Sequence, residues 1–151
     1  MPRNSKPRRP YRPRASIYPD LHDVGLIFRP IHRLFDQLRQ GEVDSARGKP
    51  LFLDWQGQWC EVVPALDGWA DCWERISAGE RLGLSLAAVR RLAKLLEYDV
   101  PMTEQQLEAA WQEIIACQHA TMRVTRRALG DYMRTEQVAI ELDRLGLVHA
   151  S

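Results

Sequence analysis

Five of the chain's nine prolines, Pro2, Pro7, Pro10, Pro13 and Pro19, fall within the first 19 residues. Each ring fixes φ and removes a backbone donor, so neither a helix nor a paired strand can run through this stretch. An extended, largely disordered arm over residues 1–19 is expected. Whatever builds a core must then lie in residues 20–148. With 45% of the whole chain hydrophobic, that length suffices for one compact domain.

The same stretch divides the charge. Arg3, Lys6, Arg8, Arg9, Arg12 and Arg14 all precede the first acid, Asp20, so the arm carries +6 and the remainder −5 within a net charge of +1. Tyr11 and Tyr18 are interleaved with the cations. Guanidinium forks match phosphate oxygens and tyrosine rings stack on unpaired bases, which points to nucleic acid. An acidic protein surface, including the body of a second copy, is the other specific partner for such an arm, and a solubilising tail is the non-specific one. No charge-free stretch is long enough to span a bilayer, and no apolar segment follows the basic start, so neither a membrane protein nor a secretory leader is expected. Cys60, Cys72 and Cys117 are odd in number and lack a framework spacing, as free thiols in a reducing compartment do.

Along the body, apolar periodicity is mainly helical. Leu21, Val24, Ile27 and Phe28 form one stripe and Ile31, Leu34, Phe35 and Leu38 a second, with Pro30 expected to split the helix between them and Gly41 to end it. Residues 41–50 read as a loop. Leu51, Leu53 and Trp55, then Trp59, Glu61 and Val63, alternate around Gln56-Gly57, so a small hairpin over 51–63 with a two-residue turn is expected, closed by Pro64. A helical stripe through Trp55, Trp59, Val62 and Leu66 is the rival reading, against which Gly57 and Pro64 both count. Helices follow over Ala65–Ser77, from an N-cap at Ser85 to about Tyr98, and from Thr103, where Gln106 completes a capping box. The last of these should continue past Met122 until Gly130. A final helix should open at Thr135, with Val138, Leu142 and Leu145 inward. The expected class is mainly α, with one small β-hairpin and a preceding basic arm.

The candidate sites are few. Trp55, Trp59, Trp69 and Trp73 form a cluster that could stack bases or bind a peptide, but their alternating or i, i+4 spacing is more often that of core residues, and the core is expected. Arg123, Arg126 and Arg127 share one face of a continuous helix and, with the nearby Arg134, could grip a phosphate backbone or complement the helix C-terminal dipole. Arg90, Arg91 and Lys94 form a smaller basic group, and for both groups a solvated face with local ion pairs is the plainer reading. Cys60, Cys72, Cys117 and His119 lack the paired spacing of a zinc site, so no metal is expected and the thiols read as buried apolar groups. There is no nucleophile elbow, Walker loop or dinucleotide-binding turn. His22, His32, His119 and His149 have no local partner pattern, and Glu104, Glu108 and Glu113 read as a solvated helix face. Neither catalytic residues nor a cofactor are expected.

The opening Arg9-Pro-Tyr-Arg-Pro-Arg14, the run Leu34-Phe-Asp-Gln-Leu-Arg-Gln-Gly-Glu42 and the following Asp54-Trp55 resemble a loose group of small phage and prophage proteins. These motifs cover about a third of the chain. The resemblance implies a bacterial cytoplasmic setting and an accessory role, with no site residues to carry over. The expected function is therefore non-enzymatic binding. The nucleic-acid contacts would be Arg3, Lys6, Arg8, Arg9, Arg12 and Arg14, joined by Arg123, Arg126 and Arg127. The alternative is a modulator or inhibitor of a host protein that uses the acidic helical body.

Overall fold

The computed structural model describes residues 17–46 and 48–144. Most of the arm, and the Leu145 and His149 of the sequence reading, lie outside them, as do the side chains of Val138 and Leu142. The order of elements is α1 (Leu21–Gln40), β1 (Asp44–Ala46), β2 (Lys49–Leu53), β3 (Trp59–Glu61), α2 (Val62–Glu80), α3 (Ala87–Glu97), α4 (Glu104–Thr121) and α5 (Arg126–Arg144). The mainly helical class with a small sheet is as expected.

Pro30 does not divide α1. Asp20 caps the helix by accepting the Asp23 N–H, and Gly41, at φ 67°, ends it. An interior proline costs about 3 kcal/mol. Here its ring points to solvent, and Val24, Phe28, Ile31, Leu34 and Phe35 on both sides of it enter one core. Burying such side chains yields roughly 1.5–3 kcal/mol each, so the packing outweighs the lost hydrogen bond.

The stretch read as a loop holds a strand. β1 pairs antiparallel with β2, Asp44 opposite Leu51 and Ala46 opposite Lys49, and Gly48 at φ 76° provides the positive φ of that short connection. β2 pairs with β3, Leu53 opposite Trp59 and Phe52 opposite Cys60. The loop between them is five residues, Asp54–Gln58, rather than two. Asp54 organises it by accepting the N–H groups of Gln56 and Gln58 on Oδ1. Pro64 opens a helix rather than closing a strand. It is the third residue of α2, where a missing donor costs nothing, so Val62 and Val63 are helical.

The break placed at Gly130 belongs at Met122–Thr125. α4 stops at Thr121, Thr125 Oγ1 accepts the Ala128 N–H, and α5 runs unbroken through Gly130. Thr135 is consequently a mid-helix residue that donates back to the Asp131 carbonyl, not a cap. The capping box of Thr103 and Gln106 is present as expected. Trp73, Phe28, Phe35, Leu66, Ile76 and Ile114 are fully buried, and they join α1, α2 and α4 in one core. α3 packs on both α2 and α4, and α5 lies against α2.

Candidate functional site

The basic face expected on one helix is dismantled by the turn at residues 122–125. Arg123 lies in that turn and Arg127 in the first turn of α5, both exposed, while Arg126 faces the start of α1. Its guanidinium bonds to Asp23 and lies 3.9 Å from Asp20, and its backbone N–H donates to the Ile17 carbonyl at 2.8 Å. Pro19 is buried beside these contacts. Arg126 thus ties the start of α1 to the start of α5, and the three arginines do not share one face of a continuous helix. Asp20's carboxyl is held below its usual range, first by the Asp23 N–H that it caps and then by the Arg126 charge.

Arg90 is similarly occupied. It reaches from α3 to α2, 3.6 Å from Asp67, and donates to Asp71 and Glu74. These hydrogen bonds raise its pKa further above an already cationic range. Its expected companions Arg91 and Lys94 are exposed. Arg75 pairs with Glu136, and Arg134 with Asp131.

The carboxylates read as a solvated face divide in role. Glu104 and Glu108 are exposed, Glu108 lying 3.7 Å from Arg39. Glu113 instead accepts the Val89 N–H at 2.9 Å. That N–H is one of the orphan donors at the start of α3, whose N-cap Leu86 has no side-chain oxygen. The expected cap Ser85 lies one residue too far out and accepts the Ala87 N–H at 3.4 Å; the Val89 N–H is satisfied from another helix, which no local sequence pattern announces.

The thiols behave largely as read. Cys72 and Cys117 are buried, and burial pushes them up to about 11 and about 12. Cys60 is half-buried and donates to Asp54 Oδ2 at 3.6 Å; desolvation and then that carboxylate raise its pKa. Among the described residues no group of three His, Cys, Asp or Glu side chains is placed to hold a metal. No described helix is long and apolar enough to cross a membrane. His32 is wedged between Phe28 and Trp111 with Nε2 donating to Gln118 Oε1 at 2.8 Å, a packing role, while His22 and His119 are exposed.

The tryptophans split, against expectation. Trp73 is wholly buried and Trp69 packs against it and Phe28 with ring centroids 5.6 and 4.9 Å apart. Trp55 and Trp59 are 61% and 53% exposed, so they are not core residues. The strand that carries Trp59 turns Cys60 inward beside Phe52, and alternation then sends Trp59 outward.

Trp59 walls an open groove of about 390 Å³ between the hairpin and the C-terminal half of α1, with Leu53, Arg33, Asp36, Gln37 and Glu42 among its lining. One buried side chain builds the junction. Gln37 Nε2 donates to the Leu53 carbonyl at 2.6 Å, and its Oε1 accepts the Leu53 N–H at 2.8 Å. β1 pairs only as far as Leu51, so Gln37 completes the ladder where a strand has run out. Arg33 Nε donates to the same carbonyl at 2.8 Å, which engages the groove's arginine and leaves Asp36 and Glu42 exposed. Sequence reading missed this site because Gln37 is a lone polar residue on an apolar stripe, and its partner is 16 positions away.

Comparison with known proteins yields no match, whether to a family model, a curated protein or a solved structure.

Proposed function

We propose that the protein is a non-enzymatic binding protein that contacts nucleic acid through the cationic arm, Arg3 to Arg14. The observation that carries this reading is the separation of charge. Six cations stand together without an acid before Asp20, whereas Arg90 and Arg126 of the body are held by carboxylates of the body. Arm cations that neutralise about six phosphates would give a salt slope near −5 on duplex DNA, with little base readout. The setting implied by the phage-type resemblance, an accessory protein in a bacterial cytoplasm, suits such a role. Arg123 and Arg127, both exposed, are available as auxiliary contacts.

The test is fluorescence anisotropy of labelled single- and double-stranded DNA and RNA at two salt concentrations. The comparison is between the full chain and a full-length variant with all six arm cations changed to Gln. Truncation at residue 19 is unsuitable, since Ile17 and Pro19 are tied into the body. Salt-sensitive binding that the Gln variant loses supports the reading. Equal binding by both proteins, or none by either, refutes it.

The exposed Trp55 and Trp59 favour a second reading, in which the body docks on another protein as a modulator of a host factor. Its test is whether partner capture survives the six Gln substitutions and is lost with Trp59→Ala.

A further inference from the structure

We propose that the groove beside Trp59 holds a guanine base of a single-stranded nucleic acid, stacked on the indole and read at its edges by Asp36 and Arg33. The inference rests on the nucleic-acid reading and adds the base readout that phosphate contacts of the arm lack.

The groove has the walls of a base slot. Arg33, Asp36 and Gln37 stand at i, i+3 and i+4 on α1 and share one face, and Trp59 of the hairpin forms the wall beside it. Trp59 is 53% exposed, so its ring is open to stacking. Every base has a π face, but only an unpaired base can lay it on a side chain, which selects a single strand over a duplex. A volume of about 390 Å³ accommodates one base.

Charge decides which part of the strand enters. The lining carries one cation, Arg33, and two carboxylates, Asp36 and Glu42, for a net −1. That balance disfavours a phosphate and leaves a neutral base unopposed. Arg33 donates through Nε to the Leu53 carbonyl. Among the described residues, neither its guanidinium nor the Asp36 carboxylate forms an ion pair, although they stand three residues apart. Glu42 faces the Gln40 amide, whose nitrogen reaches it at 2.9 Å in the orientation that satisfies both groups. Asp36 and the outer nitrogens of Arg33 are therefore the groups open to a ligand.

Guanine is the base that answers both. Its N1–H and N2 amine are adjacent donors that one carboxylate accepts side by side, and its O6 and N7 are adjacent acceptors for a guanidinium fork. Adenine and cytosine set a bare ring nitrogen beside their amine, and thymine and uracil flank one N–H with two carbonyls. Each of these turns an acceptor towards Asp36. The arm and the groove can serve one strand, because ten residues separate Ile17 from Pro7. Extended, they span about 31 Å, against about 24 Å along α1 from Leu21 to Gln37.

The test is anisotropy of the full chain with oligothymidylates that carry one central guanine, adenine, cytosine or hypoxanthine. The guanine strand is expected to bind about fivefold or more tightly than the adenine and cytosine strands. Hypoxanthine, which lacks the N2 amine, falls below guanine. Asp36→Ala abolishes the preference. Trp59→Ala weakens all four strands about fivefold or more, because stacking tolerates any base. Both positions are exposed, and circular dichroism melts establish that both variants fold. Equal affinity for the four strands overturns the proposal and leaves the phosphate contacts of the arm standing, as does a guanine preference that Asp36→Ala retains. Binding of no strand removes the nucleic-acid reading and this one with it. Free guanosine is the control for source: if it binds as tightly as the guanine strand, the site serves a nucleoside and the strand assignment is overturned.

Discussion

Gln37→Leu tests how the sheet is terminated. The glutamine side chain is 7% exposed and gives Leu53 both an acceptor and a donor. Leucine fills similar space and offers neither. The Leu53 carbonyl keeps one partner, Arg33 Nε, so the main loss is the N–H, which is left without its acceptor. An unsatisfied group of this kind costs about 1–3 kcal/mol, and the second lost bond adds about 0.5–1 because the carbonyl remains engaged. Leu53 is only half-buried, and water recovers part of this, so about 2 kcal/mol is expected. For a chain of this length that lowers Tm by about 4–8 °C. Gln37→Glu should be worse, since a carboxylate oxygen would face the Leu53 carbonyl where the amide nitrogen now stands 2.6 Å away. The assay is thermal unfolding combined with amide exchange, in which the Leu53 N–H should lose protection selectively. Unchanged Tm and unchanged Leu53 protection in both variants would refute this account of the hairpin.

Three further outcomes are expected. Gly79→Ala should destabilise the native chain, because a β-carbon at position 79 would overlap the Tyr132 hydroxyl, which bonds to Glu80; in a Tyr132→Ala background the same change should stabilise by up to about 1 kcal/mol through helix propensity, and thermal melts of the four proteins show whether the sign reverses. Glu113→Ala should cost about 1–2 kcal/mol by removing the cap of α3, with loss of protection at the Val89 amide as its local signature. The buried thiols set an alkaline limit. Folding raises Cys72 to about 11 and Cys117 to about 12, so their contribution is complete below the unfolded thiol value near 8.5 and fades as pH climbs through that window. Urea midpoints measured from pH 8 to 11 should therefore decline, with a shallower decline in Cys117→Ala.

Local signals were legible where their partners are close in sequence. Thr103 and Gln106 announce α4 because both halves of the capping box lie within one turn, and Gly41 announces the end of α1 for the same reason. Breaker residues misled where tertiary packing decided the outcome. Pro30 and Gly130 sit inside helices whose apolar sides are paid for by burial, and Pro64 falls in a first turn, where proline is harmless. Alternation located β3 but could not say which face is inward, and that choice separates a buried Trp59 from an exposed one. Gln37 and Glu113 had no legible role at all. Each serves a backbone group 16 or 24 residues distant, and neither spacing belongs to any local motif. The groove beside Trp59 was invisible for the same reason, since it exists only once the hairpin is set against α1.

The anchoring of Ile17 and Asp23 by Arg126 has a consequence in time. Asp23 and Arg126 are separated by 103 positions. At synthesis rates of about 5–20 residues per second, α1 leaves the ribosome about 5–20 s before the arginine that holds its beginning. Throughout that interval the arm's point of attachment is unsecured, and it becomes fixed only when the last helix is made. A chain that stalls before residue 126 would expose the full cationic segment on an untethered helix, open to any polyanion in its surroundings, ribosomal RNA included.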